Sequence, residues 1–402
     1  MGDVAETIDR TVEAAPSVGL GVPLMLALGT FAVGTDAFIV AAFLPAMADG
    51  LAVTPAEAGH SVTAFALSYA ILAPIIATLA SALPRRALLV GALAFLALAN
   101  IGSALAPSLG ILIATRVAAA AAAAAYSPNA VAAAGLLARP EAKARTLALV
   151  IGGLTVATAI GVPLGRIASV VIDWRAALGL VATLALIAAV GVVVTMPRVA
   201  GASRVGMRRM SVLKRPGVAG TLFLTVLGMS AAYAPYAFTV PILDALSMTD
   251  GAVVCMLVLY GAGAIAGNYV AGLLTDRWGA GRVLRFAYAH MTVTFAGLAA
   301  ASLWLIQGRP VLIGALMVCW GAGVWSQNPA QIHRLIAIAP LEAPLVVALN
   351  ASAVYVGIAL GTALGGATIG FGGSVTLGCG MSLALMALLC ARTERRSRPG
   401  GE

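Results

Sequence analysis

Long apolar runs separated by short polar breaks dominate this sequence, and that pattern leaves few folds open. Twelve runs can be marked, at 21–48, 56–81, 87–106, 109–137, 145–169, 175–196, 217–242, 250–275, 283–306, 310–336, 344–369 and 373–391. A helix needs about 20 apolar residues to cross a bilayer, and each run is near or above that length. Lipid offers the backbone no hydrogen-bond partner, so runs of this length must satisfy themselves as helices. Charged residues make up 10% of the chain and mean hydropathy is +1.02, against about 25% charged in soluble domains. The reading is an all-α membrane protein with twelve transmembrane helices.

The basic residues fix the expected topology. The net charge of +9 would suit a nucleic-acid partner, but the arginines sit in short loops, so the charge is topological and no nucleic acid is expected. One side receives Arg10, Arg85, Arg86, Arg139, Lys143 and Arg145 from the first half. The same side receives Arg198 to Arg215, Arg277, Arg282, Arg285, Arg334 and the arginines after Arg392. The other side has only Arg166, Arg175 and Arg309. By the positive-inside rule both termini are cytoplasmic. The expected divisions are a 1–20 tail, a 21–197 six-helix bundle, a 198–216 basic linker, a 217–391 six-helix bundle and a 392–402 tail.

The halves echo each other at an offset of 200 positions: Gly161 and Gly165 with Gly361 and Gly365, and Pro140 with Pro340. Ser127-Pro128-Asn129 has its counterpart in Gln327-Asn328-Pro329. Duplicated six-helix halves with a site between them are a transporter plan. The N-terminal segment lacks the basic start and short apolar core of a cleaved signal. The four cysteines lie in apolar runs without CxxC spacing, so neither a disulfide framework nor a metal site is expected.

Two charges fall deep within spans. Asp36 is the one acid well inside a run, and a carboxylate at mid-membrane costs about 2.5–3.5 kcal/mol on insertion scales. Arg116 in span four cannot shed its proton and needs a partner. From the helical rise Asp36 lies about 22 Å from the cytoplasmic start of its helix, and Arg116 about 30 Å from its own cytoplasmic end. These depths allow coupling through water or a polar chain. The pair is read as a proton site in which Asp36 alternates between charged and neutral states under the influence of Arg116; structural pairing alone is the alternative.

Other polar and aromatic residues fall at mid-span depth: Tyr126, Asn129, Tyr233, Tyr236, Trp325, Gln327, Asn328, Asn350 and Tyr355. Apolar and aromatic walls with a few hydrogen-bonding groups suit a small-molecule cavity. His290 and His333 are placed at span ends without a role, and His60 faces the outer vestibule. Gly161, Pro163 and Gly165 give span five a smooth face and a bend, while Gly357, Gly361 and Gly365 leave one face of span eleven nearly bare backbone. The loop Gly272-Leu-Leu-Thr-Asp276-Arg277-Trp-Gly279-Ala-Gly-Arg282 reads as a conformational latch, with Asp276 capping a helix or pairing with an arginine across the halves. The corresponding loop after span two keeps Arg85 and Arg86 but has Ser81 and Pro84 in place of the acid and glycine.

The Gly272–Arg282 loop resembles the signature loop of the major facilitator superfamily. Arg116 matches the arginine of that superfamily's fourth-helix motif. Gly152 to Gly165 resembles the fifth-helix motif of its proton-coupled antiporters, with Pro163 one place later than in the most common pattern. Gly34-Thr35-Asp36, Gly161-Val-Pro163-Leu-Gly165, Asp173-Trp174-Arg175 and Leu349-Asn350-Ala-Ser352 are similar to the arabinose-efflux-permease-like group of drug:proton antiporters. The resemblance implies the major facilitator fold, a bacterial inner-membrane location, and a proton-coupled exporter of drugs, sugars or metabolites. It leaves the substrate unidentified.

The expected partners are therefore a small molecule, protons and the bilayer, with the chain acting as a monomer. The proton gradient is the energy source and no cofactor is expected. A proton-independent facilitator or importer of a sugar or nucleoside on the same fold is the rival reading. No GxxxxGK[ST] phosphate loop, HExxH pair or nucleophile–base arrangement is present, which argues against a primary pump or a membrane enzyme.

Overall fold

In a computed structural model, residues 20–80, 82–139, 142–199, 212–303 and 309–393 are described. The two tails, Ser81, Pro140 and most of the 198–216 linker, with Arg10, Arg204, Arg208 and Arg209, lie wholly or largely outside them. Among the described residues there are twelve helices long and apolar enough to cross a membrane. They are α1 (Gly21–Phe38), α2 (Pro55–Leu79), α3 (Arg85–Ala104), α4 (Leu109–Leu137), α5 (Arg145–Val171) and α6 (Trp174–Thr195). The second six are α7 (Val218–Tyr236), α8 (Asp250–Trp278), α9 (Ala280–Leu303), α10 (Arg309–Ile338), α11 (Ala343–Ile369) and α12 (Gly373–Thr393). The sequence boundaries are met within a few residues except for runs 21–48 and 217–242, whose helices stop at Phe38 and Tyr236 and continue as separate short helices.

Helix ends follow local chemistry. Thr54 and Glu57 form a capping box at the start of α2, each satisfying the other's backbone N–H. Prolines set the breaks. Helix α1 stops at Phe38 and resumes as a short helix, Val40–Gly50, in which Phe43 has non-helical angles. Pro45 has no N–H for the carbonyl of Ala41 and its ring crowds that carbonyl. Helix α7 behaves the same way: it stops at Tyr236 and resumes as Thr239–Ala245, which contains Pro241. In α5, Pro163 deprives the Ala159 carbonyl of its donor, and the chain absorbs the misfit as a π-turn at Ala157–Gly161.

The first six helices pack mutually, and the second six repeat the pattern six helices later. Pairs α1–α5, α2–α4, α3–α6 and α1–α6 correspond to α7–α11, α8–α10, α9–α12 and α7–α12. The halves meet through α2 against α11 and α5 against α8. Glycines permit the closest approaches. A Cβ on Gly161 would lie 3.1 Å from the Cβ of Thr35 in α1, and one on Gly361 would lie 2.5 Å from the Ser230 carbonyl in α7. At the half-interface, Gly261 of α8 seats against the Ala159 backbone in the π-turn.

On the side away from the start of α1, the two short helices Val40–Gly50 and Thr239–Ala245 touch. Arg166 of α5 and Asp250 of α8 join across the same side at 2.5 Å. The molecule is therefore closed there.

Candidate functional site

Asp36 is fully buried in α1, two residues before the helix breaks. Arg116, 1% exposed, reaches it from α4: Nη1 donates to the carboxylate at 2.5 Å and Nη2 to the Asp36 carbonyl at 2.8 Å. Sequence spacing allowed an indirect coupling, and the fold makes it a direct ion pair. The guanidinium also lies over the Phe65 ring of α2, 4.5 Å from its centroid. Phe65 in turn meets Tyr355 of α11 at 6.3 Å, and Tyr355 stacks on Tyr69. The pair thus touches the half-interface through one ring. It is incompletely satisfied, because Asp36 Oδ2 and Arg116 Nε have no hydrogen-bond partner among the described residues.

The segment around Asp36 is held by α5. Thr30 donates to the Val150 carbonyl at 2.5 Å, and Gly34 leaves room for Ala157 and Leu154. Gly161 and Gly165 take Thr35 and Ile39 on their bare faces. The glycine–proline motif of α5 therefore shapes the wall behind the proton-site candidate.

The cavity candidates divide. Tyr126 donates to the Leu26 carbonyl at 3.1 Å and fills the space over Gly29, so its hydroxyl fastens α4 to α1. Asn129 accepts from Arg85 at 2.5 Å and donates to the Ala125 carbonyl. Asn350 accepts from Thr225 at 3.0 Å and donates to Asn328 at 3.1 Å. Through Tyr126–Leu26, Arg85–Asn129, Thr225–Asn350 and Asn350–Asn328 these four residues tie neighbouring helices together.

Tyr233, Tyr236, Trp325 and Gln327 behave differently. Tyr236 lies 4.9 Å from Tyr233, 5.2 Å from Tyr260 and 6.3 Å from Trp320 by ring centroid. Phe38 closes the group from the first half, 6.0 Å from Trp325. The hydroxyl of Tyr236, the indole nitrogen of Trp325 and both ends of the Gln327 amide are buried without hydrogen-bond partners among the described residues. Sequence reasoning missed Tyr260, Trp320 and Phe38. Trp320 was findable, since it stands seven residues before Gln327, two turns along the same helix face. Tyr260 joins only because α8 and α10 pack closely through Gly263, Gly267 and Gly321.

The latch residues are only partly brought together. Arg85 is buried against Asn129, and Arg86 donates to the Val193 carbonyl. Asp276 is exposed and forms no ion pair among the described residues, which corrects the expected pairing across the halves. Gly279 ends α8 at φ +78, a conformation that favours glycine. Gly272 has open space around it, and Arg277 is exposed in the last turn of α8. Arg282 and His333 line an open cavity of about 940 Å³ on that side. His290 corrects the span-end reading: it sits midway along α9, with Nε2 2.8 Å from the Cys319 carbonyl.

A family model described as Major Facilitator Superfamily matches residues 26–343. The chain belongs to the major facilitator superfamily. It is 30% identical over 380 residues to the inner membrane transport protein YdhP of Escherichia coli K12, covering 94% of this chain and 96% of that one. It is 33% identical over 352 residues to the chloramphenicol resistance protein of Streptomyces lividans, covering 86% and 88%. In fold it is similar to a bacterial homologue of the human lysosomal transporter Spinster in an inward-facing, occupied conformation. That likeness has a TM-score of 0.75 at 15% identity over 94% of this chain and 97% of the other. As a superfamily member with twelve apolar helices, the chain is a multi-pass membrane transporter of small molecules.

Proposed function

We propose that this transporter is a proton-coupled exporter of small organic molecules in the bacterial inner membrane, with both termini cytoplasmic, working as a monomer by alternating access. The observation that carries the reading is the buried, incompletely satisfied Asp36–Arg116 pair. A buried ion pair is held by mutual attraction against a large desolvation cost. Protonating Asp36 removes the attraction and leaves Arg116 with one backbone carbonyl and the Phe65 ring. An arginine in that position must move, and Phe65 carries the change toward α11. Coupling requires that proton and substrate favour different access states; the free Asp36 oxygen and the aromatic group around Tyr236 serve those two ligands. The similarity to a chloramphenicol resistance protein supports export. No cofactor is needed beyond the proton gradient.

The test uses cells lacking the gene and liposomes carrying the purified protein. An export panel that includes chloramphenicol identifies a substrate, and substrate-dependent proton movement is then followed with an internal pH dye. Asp36→Asn is expected to insert normally and to lose proton-driven transport. Full substrate-dependent proton movement by that variant would falsify the coupling role.

Bonding of Arg116 to both the side chain and the backbone of one residue also suits a static brace. The transporter would then be a proton-independent facilitator or importer. Transport that continues unchanged after the pH gradient is collapsed supports this second reading.

A further inference from the structure

The aromatic group between α7, α8 and α10 has a specific chemical asymmetry. Three of its ring contacts are edge-to-face: Phe38 meets Trp325 at 87°, Tyr236 meets Trp320 at 86° and Tyr260 meets Trp320 at 82°. Edge-to-face pairs set a positive ring edge against a negative ring face. The polar ends are what is left over. Tyr236 Oη, Tyr260 Oη, Trp320 Nε1, Trp325 Nε1 and both amide atoms of Gln327 are buried without a hydrogen bond. Tyr260 Oη and Trp325 Nε1 lie near each other but form no geometrically sound bond.

Counting what these atoms can do gives the class of ligand. An indole N–H donates only, a phenol can donate, and the amide nitrogen donates. All four ring atoms can therefore donate; the Gln327 amide, whose oxygen lies against Gly228 of α7, adds one donor and one acceptor. Full charges are absent from the surroundings. Helix α7 contains no charged residue, and neither do α8 between Asp250 and Asp276 or α10 between Arg309 and Arg334. The deep charges of the first half, Asp36 and Arg116, already bind one another.

We infer that the group around Tyr236 and Trp320 is a recognition site for an uncharged aromatic molecule bearing at least two hydrogen-bond acceptors, such as nitro, carbonyl or amide oxygens. The inference rests on the transporter reading above and names the substrate class of that site. The acceptors complete the orphaned indole and phenol donors, and the ring packs among Phe38, Tyr260 and Trp325. An organic cation finds no carboxylate on these three helices at this depth, and an anion finds no positive charge on them.

Binding can be measured on the full chain in detergent, without a gradient, by titration calorimetry. Three probes of similar size serve: 4-nitroacetanilide, phenyltrimethylammonium and phenylacetate. The neutral probe is expected to bind at least about tenfold more tightly than either ion. Tyr236→Phe and Tyr260→Phe keep the ring and delete one donor each. Either is expected to weaken the neutral probe roughly three- to tenfold, the effect of one hydrogen bond. Circular dichroism checks the fold, with Trp325→Phe replacing any variant that unfolds. Equal or tighter binding of an ion, no saturable binding of the neutral probe, or full affinity in the folded variants overturns the inference. Loss of coupling in liposomes with these affinities intact counts against the proton reading alone.

Discussion

Arg116 touches an acid, a carbonyl and an aromatic ring at once, so its removal should reveal how the three depend on it. Arg116→Leu leaves Asp36 buried and unpaired, a situation that costs about 3–5 kcal/mol. The single variant should unfold at a clearly lower temperature, and the Asp36→Asn, Arg116→Leu double variant should recover much of the loss. Equal destabilisation by single and double variants would show that the two side chains do not act as a pair. Both residues were conspicuous in the sequence because charge in hydrocarbon is costly. Tyr126 and Asn129 were equally conspicuous, and the fold shows each bonded to a neighbouring helix. A sequence shows that a polar group needs a partner, but only the fold shows whether the backbone of α1 or the guanidinium of Arg85 has supplied it.

Between elements, close approach is decided glycine by glycine. A Cβ on Gly361 meets the Ser230 carbonyl at 2.5 Å, whereas one on Gly272 meets nothing within 4 Å. Gly361→Ala should therefore destabilise the protein by about 1–3 kcal/mol, the range for overpacking. Gly272→Ala should leave thermal stability unchanged or raise it by up to about 1 kcal/mol. Thermal unfolding of the two variants side by side checks both, and equal shifts would show that the α7–α11 contact is not the cause. The repeat of Gly161 and Gly165 as Gly361 and Gly365, 200 residues on, was plain in the sequence. The π-turn was not, because Pro163 announces a bend without saying whether the chain kinks or takes up an extra residue. Its consequence, a seat for Gly261 of α8, exists only once both halves are assembled.

Across the whole molecule, closure on the far side depends on a polar cluster that joins the halves. Arg166 donates to Asp250 and lies 3.4 Å from the Ala42 carbonyl, linking α5, α8 and the extension of α1. Asp250 is 59% exposed, and exposed pairs are worth about 0.2–1 kcal/mol. Asp250→Asn should accordingly raise labelling of a cysteine placed at Ala46 by only a few-fold, and unchanged labelling would remove the pair from the closure. Asp244 adds a pH dependence. Asp244 is exposed but partly desolvated, which raises its carboxyl above the usual range; nearby Arg166 opposes this and Asp250 reinforces it. Opening rehydrates Asp244 and relaxes that shift. The closed state is therefore favoured at low pH and loses this advantage as pH rises through the raised value. Labelling at Ala46 should increase over that interval, and Asp244→Asn should flatten the increase.

Sequence alone determined the twelve spans, the two echoing halves and the identity of the two deep charges, because membrane cost acts on each residue wherever it lies in the chain. Tertiary structure decided everything that depends on who stands opposite. It joined Asp36 directly to Arg116, set Phe65 between that pair and α11, and moved the cross-half ion pair from Asp276 to Arg166 and Asp250. It also separated polar groups with satisfied hydrogen bonds from those without. Hydropathy is a sum over residues and can be read along the chain; hydrogen bonds and ion pairs belong to two residues at once.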